Sequence, residues 1–355
     1  MSSETQTADL TSFSCPVPIT THKEVVLGHG SGGKLSQQLI QKIILPHFEN
    51  ELLEPLHDGA IFSLNNARLA YSTDSFVVSP IFFPGGDIGT LAVHGTVNDL
   101  AMCGARPLYM TAAFIIEEGL PLEHLWRIVQ SMQAAAHSAG VTIVTGDTKV
   151  VDRGKGDQIF INTSGIGAIP DGVNIAPCNA RPGDKIIING PVAQHGMAIM
   201  SVRDGLEFET QITSDTAALN GLVEAMFTAS TDIHVLRDPT RGGVTSALNE
   251  IAQSACVGIR LEESRIPISE QVKAACEILG LDPLYVANEG KLLAFVPPEQ
   301  SDLVLAAMRS HPFGRDAAMI GEVVNDMPGF VTMKTKVGGE RVVEMLAGEQ
   351  LPRIC

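Results

Sequence analysis

The feature that most constrains this chain is an alternation of strand-like and helix-like runs that stops once and then restarts. Between Val25 and Ile169, β-branched and aromatic runs (RLAYSTDSFVV, PLYMTAAFII, VTIVTGDTKV, QIFINTSGIGAI) are separated by runs with helical spacing (IGTLAVHGTVNDLAM, LEHLWRIVQSMQAAAHSAG). The second of these helices has its stop signal at Gly140. Upstream, GKLSQQLIQKIILP places Leu35, Leu39, Ile43 and Ile44 on one face and is expected to stop at Pro46. The stretch PDGVNIAPCNARPGD, with three prolines and two glycines, then breaks the pattern as a domain connection does. After it come strand DKIIING, helices near 196–204 and 215–229, helix GGVTSALNEIAQSACVG, strand IRLEE, helix SEQVKAACEILG, strand KLLAFV and helix SDLVLAAMRS. The Gly-Gly in GFVTMKTKVGGERVVEML signals a hairpin. Two α/β domains follow from this, over residues 23–168 and 169–346. Residues 1–22 are polar and expected to be disordered, and 347–355 are expected to form a mobile tail with little to pack.

A length of 355 residues supports two cores better than one. Lys+Arg of 24 against Asp+Glu of 40 gives a net charge of −16, which argues against nucleic acid and anionic membrane as partners. No apolar run of membrane-spanning length occurs, and MSSETQTADL has no apolar signal stretch, so a cytoplasmic location is expected. The six cysteines (Cys15, Cys103, Cys178, Cys256, Cys276, Cys355) show no metal or disulfide spacing. Cys103, Cys256 and Cys276 read as small buried hydrophobes. Cys355 does not, because a charged chain terminus resists burial. A thiol in the final position, in LPRIC, is the feature that asks for a function.

GHGSGGKL, residues 28–35, fits the first part of a phosphate-binding loop but has Leu35 where a Ser or Thr hydroxyl would meet Mg²⁺. Its glycines still permit a backbone cradle for phosphates. Five aspartates stand among small or turn-forming residues: Asp58 in HDGA, Asp74 in STDS, Asp99 in VNDLAMCGA, Asp147 in TGDTK and Asp238 in LRDPTRGGV. Singly, each also suits a helix cap or a turn. Together they have the hard oxygen chemistry that Mg²⁺ and a triphosphate require. His29 and His94 have no ligand partner at i+4 and read as structural.

VLGHGSGGK, HDGA, STDSFVVSP, HGTVNDLAMCGARP, TGDTKVV, RPGDKIIINGPVAQHG, LRDPTRGGV, NEGKLL and the terminal PRIC resemble the HypE family of hydrogenase maturation proteins. That family lies within the superfamily of aminoimidazole ribonucleotide synthetase and selenophosphate synthetase, and the resemblance spans Val25 to Cys355. It implies the two-domain α/β fold of that superfamily, a homodimer, and ATP with Mg²⁺ held mainly by the N-terminal domain. Carried over by motif, Asp58, Asp99 and Asp238 are metal ligands. Asp74, Asn98 and Asp147 contact nucleotide, with Gly32, Gly33 and Lys34 in the closing loop.

The resemblance further implies that Cys355 receives a carbamoyl group from the carbamoyltransferase HypF. ATP-dependent dehydration turns it into a thiocyanate, and the cyanide passes to iron on a HypC–HypD complex for the [NiFe]-hydrogenase centre. Lys149 and Glu289 are the candidate bases, Gly348 a hinge, Pro352 a stiffener, and Arg353 a cation that offsets the terminal carboxylate. Two alternatives stay open: a selenophosphate-synthetase-like phosphotransferase, and a carrier without catalysis.

Overall fold

The computed structural model describes residues 22, 24–48, 50–203, 205, 211–348, 351 and 353–355. The expectations for residues 1–21 and for Pro352 fall outside these. The first helical segment runs as α1 (Lys34–Leu39), a π-helical turn (Ile40–Ile44) and α2 (Leu45–Phe48). It does not stop at Pro46, because the new segment starts at Leu45 and puts the proline in its first turn, where no N–H is needed. Nor does its apolar face pack: Ile40, Ile43 and Ile44 are 38–41% exposed.

The N-terminal domain then follows as β1 (Ala60–Leu64), β2 (Ala67–Phe76), a short hairpin of β3 (Phe82–Phe83) and β4 (Gly86–Asp87), α3 (Ile88–Met102), β5 (Arg106–Glu117), α4 (Leu122–Ala139), β6 (Thr142–Val151) and β7 (Ile159–Ala168). The sheet order is β1-β2-β7-β5-β6. Only β5 and β6 pair in parallel, which the crossover helix α4 allows. Asp87 caps α3 in a reciprocal pair with Thr90, and α4 ends at Gly140 in the left-handed region. Helix α3 is buried along most of its length against one face of the sheet. Gly165 is required there, since a Cβ would stand 2.8 Å from Leu100 Cδ1. Among the described residues no helix covers the opposite face: Tyr71, Tyr109 and Ile115 are about half exposed, and β6 is exposed from Thr142 to Val150.

The C-terminal domain comprises β8 (Lys185–Ile188), α5 (Gln194–Arg203), α6 (Asn220–Ala229), β9 (Val235–Arg237), α7 (Gly243–Ala255), β10 (Gly258–Glu262), α8 (Glu270–Leu279), β11 (Leu293–Val296), α9 (Pro298–Ser310), β12 (Ala318–Val324), β13 (Val331–Lys334) and β14 (Glu340–Val342). Its sheet order is β14-β13-β10-β12-β8-β11-β9. The expected hairpin is β13/β14, turning at Gly338-Gly339. The central strands are buried on both faces. Ile186, Ile188, Leu293 and Phe295 face the α7/α8 side, and Ile187, Ala294 and Val296 face the α6/α9 side. Leu100–Cys103 at the end of α3 join the second of these clusters, so one apolar core crosses the domain seam.

Two expectations about burial change. Cys103 and Cys276 are buried, but Cys256 is exposed, because it closes α7 in the left-handed conformation. The tail carries more packing than its composition suggests: Ile354 is 4% exposed and belongs to the N-terminal core, with Leu351 and Cys355 against it.

Phe295→Ala is expected to lower the unfolding free energy by about 3–5 kcal/mol. Trp126→Ala, at a side chain 66% exposed, is expected to stay within about 0.5 kcal/mol. Urea denaturation of both variants checks this assignment of core and surface, and comparable losses would refute it.

Candidate functional site

A cavity of about 920 Å³ lies at the seam, where the glycine-rich segment, β2, α3 and the β9–α7 turn converge. Asp58, Asp74, Asp99, Asp238, Glu289 and Cys355 all line it. Each carboxylate comes from a different segment. Asp58 precedes β1, and Asp99 sits in the last turn of α3. Ser72 and Asp74 are two apart on β2 and so share its inward face. The Ser72 hydroxyl stands 2.7 Å from Asp99 Oδ2 and 2.9 Å from the Asp58 carbonyl, tying the three segments together. Asp238 follows β9, where a turn of Gly242 and Gly243, both with positive φ, starts α7.

The electrostatics are those of too many anions for the available cations. Burial opposes ionisation of Asp58, yet the Arg237 guanidinium 2.9 Å away and the neighbouring His57 hold its carboxyl below the usual range. Arg237 also pairs with Glu250, so it serves two acids. Asp99 is pushed well up, by burial and then by Asp238, Asp74 and Asp58. Asp238 is pushed up to about 8, by burial and Asp58 against Arg237. Asp74 rises through burial, against the pull of Arg241. Glu289 is raised by burial and by Asp238 and Asp74, and its Oε1 is buried without a hydrogen-bond partner.

This donor set suits a hard divalent cation. Asp58 Oδ2 is buried with no hydrogen-bond partner, and the carboxylates around it repel one another. Among the described residues no three acidic, His or Cys groups form a cage by themselves.

The tail brings the thiol into this cavity. Val77 N donates to a carboxylate oxygen of Cys355 at 3.1 Å and Ser79 N to the Arg353 carbonyl at 3.2 Å. The terminal charge therefore does not keep Cys355 outside. Its thiol is pushed well up by burial and by the facing Glu289 carboxylate, against Arg241. Arg353 does not offset this, because it pairs with Asp157 instead. Arg241 is the cation beside the thiol.

The remaining expected residues divide. Gly32 and Gly33 line the cavity and pack closely: a Cβ on Gly32 would fall 2.7 Å from the Arg241 carbonyl oxygen, and one on Gly33 2.4 Å from that of Leu346. Lys34 does not reach the cavity, because its Nζ pairs with Glu344 at 3.0 Å. Asn98 is also displaced from its expected role. Its amide nitrogen donates to the carbonyls of Ala217 and Glu289, and its oxygen accepts from Leu219 N, so the group is consumed in holding the loop that carries Glu289.

Asp147 and Lys149 lie on the edge strand β6, 63% and 68% exposed, with Lys149 Nζ 2.6–2.7 Å from both Asp147 oxygens. Asp74 pairs with Thr163 and Thr163 with Ala112, whereas Asp147 pairs with Ala113. The side-chain alternation therefore points Asp147 and Lys149 to the face opposite Asp74, with β7 and β5 between. They do not join this chain's own cavity. His29 borders the cavity but, among the described residues, hydrogen-bonds to Val26 in its own turn, and His94 meets Thr216 Oγ1 at 3.0 Å. Arg237 and Arg241 also line the cavity, and their position on either side of Asp238 in LRDPTRGGV is the sequence signal that could have found them.

Residues 56–169 match the AIR synthase related protein N-terminal domain and residues 181–334 its C-terminal domain. The carbamoyl dehydratase HypE of Cupriavidus necator is 57% identical over 330 residues, 93% of this chain and 94% of that protein. A crystal structure of the hydrogenase maturation protein HypE in complex with ATP superposes with a TM-score of 0.79 at 51% identity, covering 94% of this chain and all of that one. A HypE–HypF complex gives a TM-score of 0.83 at 50% identity over 87% of this chain and 99% of that chain.

Burial pushes His94 from its ordinary 6.5 down to about 4. The unfolded chain therefore takes up this proton first. The contribution is complete above about pH 6.5 and is lost as pH falls toward 4, by at most about 3 kcal/mol. His94→Asn is expected to flatten that part of the pH–stability curve in urea denaturation. A slope identical to wild type would show that His94 is not held neutral.

Proposed function

The chain belongs to the HypE carbamoyl dehydratase family, built on the paired AIR synthase related domains, and from that membership we propose that it dehydrates a carbamoyl group carried on its own Cys355. The observation that carries the reading is the Cys355 thiol inside the acidic cavity, between Glu289 and Arg241. The group arrives from HypF, a source supported by the HypE–HypF complex of the related protein. ATP enters the same cavity, as the related ATP complex supports.

A carbonyl oxygen is a poor leaving group until it is phosphorylated. The amide oxygen of the S-carbamoyl group attacks the γ-phosphorus of ATP and ADP departs. The nitrogen loses one proton to form the O-phosphorylated imidate. Loss of the second proton then drives phosphate out with the C–O electron pair, leaving S–C≡N. Carbamoyl-cysteine and ATP thus become cyano-cysteine, ADP, phosphate and a proton. Burial and its acidic neighbours raise the proton affinity of Glu289, which suits it to accept from a weakly acidic amide nitrogen. Arg241 faces the reacting sulfur and balances negative charge developing on the transferred group. Asp58, Asp99 and Asp238 would hold Mg²⁺, which supplies charge neutralisation for the phosphates. Asp74 and the Gly32–Gly33 backbone border the nucleotide. The cyanide then passes to iron on HypC–HypD.

Asp147 and Lys149 take part from a second copy of the chain. The uncovered sheet face and the exposed β6 edge suit a homodimer in which that strand is paired or covered. The two side chains would then serve the neighbour's cavity, Asp147 toward nucleotide and Lys149 as a further proton acceptor. A carrier without catalysis would have no use for such a buried set of carboxylates.

Intact-mass measurement of S-carbamoylated protein is expected to show loss of one water only with Mg-ATP; loss without ATP would remove the phosphorylation step. Glu289→Gln is expected to slow this loss at least about a hundredfold with nucleotide binding retained. Mixing Lys149→Ala and Cys355→Ser subunits, each inactive alone, is expected to restore roughly a quarter of wild-type turnover, since half the dimers then hold one complete site. No recovery would assign Lys149 to its own chain.

A further inference from the structure

Glu289 projects from a loop, not from a helix or strand, and its Oε1 has no hydrogen-bond partner. A carboxylate placed this way is aimed by its backbone. That backbone is held from the connection between α5 and α6, of which residues 211–219 form neither helix nor strand. The connection is anchored on the N-terminal domain: Ser214 N donates to the Pro84 carbonyl at 2.8 Å, and the Thr216 hydroxyl meets His94 Nδ1 at 3.0 Å. Between these anchors, Asp215 Oδ1 accepts from Glu289 N at 3.2 Å. The two segments touch backbone to backbone, since Gly290 leaves no room for a Cβ against the Asp215 carbonyl.

The other oxygen, Asp215 Oδ2, stands 3.0 Å from Lys291 Nζ, and the two side chains are 2% and 9% exposed. The angle there makes no hydrogen bond, so the attraction is that of opposite charges away from water. One carboxylate thus grips the loop at residue 289 and again at residue 291. Asn189 Nδ2 holds the Gly290 carbonyl between them at 3.1 Å. A buried ion pair is a costly way to fasten a loop, because both charges lose their hydration, and an apolar pair of similar volume can hold as firmly. What an apolar pair lacks is an acceptor for Glu289 N–H.

We infer that Asp215 and Lys291 are positioning residues for the dehydration: the pair fixes the backbone of residue 289 so that its carboxylate stays against the sulfur of Cys355. This rests on the reading of Glu289 as proton acceptor. Neither Asp215 nor Lys291 is among the residues lining the cavity, so both act through Glu289.

The test compares two double variants of the full chain, Asp215→Asn with Lys291→Met and Asp215→Val with Lys291→Met. Both remove the two charges together, which avoids stranding either one, and they differ in whether residue 215 can accept from Glu289 N–H. Hydrogen exchange at the Glu289 amide, followed by mass spectrometry, is expected to be about tenfold faster in the Val variant than in the Asn variant. Single-turnover dehydration of the S-carbamoylated protein at saturating Mg-ATP is expected to fall at least about tenfold in the Val variant, with Mg-ATP affinity unchanged, and to stay within about threefold of wild type in the Asn variant. In a Glu289→Gln background the two pairs should differ by less than about twofold, because the group they position is gone. Equal exchange in the two variants overturns the inference, as does equal dehydration or a difference that persists in full without Glu289. Wild-type dehydration by Glu289→Gln alone would overturn the base assignment instead, and the exchange comparison would still decide whether Asp215 holds the loop.

Discussion

The seam between the domains rests on Arg237. Its guanidinium reaches Asp58 from the N-terminal domain and Glu250 from its own, and it is the counter-ion that keeps Asp58 ionised in a buried position. Removing it would leave the buried Asp58 without its partner, a loss of about 3–5 kcal/mol by the usual measure of broken buried pairs, and would also free the partly exposed Glu250. Asp99, Asp238 and Glu289 have no comparable partner, and all three are pushed toward the protonated form. The apolar core carries this strain because Leu100–Cys103 and the central strands of the C-terminal sheet form one continuous cluster directly behind the carboxylates. A protein selected for stability alone would replace those acids. Such crowding of buried acids suits a site arranged for charged ligands.

Much of this was legible in the sequence, and the failures share a cause. Long elements with a strong period, such as α3 and α4, and the Gly338-Gly339 hairpin could be read directly. Strand β9 could not, because three residues are too few to show alternation, yet it delivers both Arg237 and Asp238. Asn98 and Asp99 are adjacent in sequence but about 100° apart around a helix, so one faces the cavity and the other the Glu289 loop. For Asp147 the deciding facts were strand order and register, which place it beyond β7 and β5 and on the other face from Asp74. Motif spacing contains neither. The packing of Ile354 was not legible for a similar reason: whether a lone isoleucine near the chain end can pack depends on a pocket built by distant residues.

Two surfaces of the N-terminal sheet have different fates. The inner face is sealed by α3, with Thr163 bonded to the Ala92 carbonyl and to Thr96. The outer face offers aromatic and aliphatic side chains and a long unpaired edge. That outer face and edge are the surfaces the proposed second copy would cover.

The glycine-rich segment touches the C-terminal end of the chain repeatedly. Lys34 N donates to the Leu346 carbonyl at 2.8 Å, Ser31 Oγ to that of Gly348 at 3.3 Å, and Gly33 leaves no room for a side chain against Leu346. The glycine-rich backbone is thus clutched to the stem that leads to Cys355. Under the proposed reaction, a loop shift on nucleotide entry would be transmitted to that stem, and so the seating of one substrate would be linked to the seating of the other.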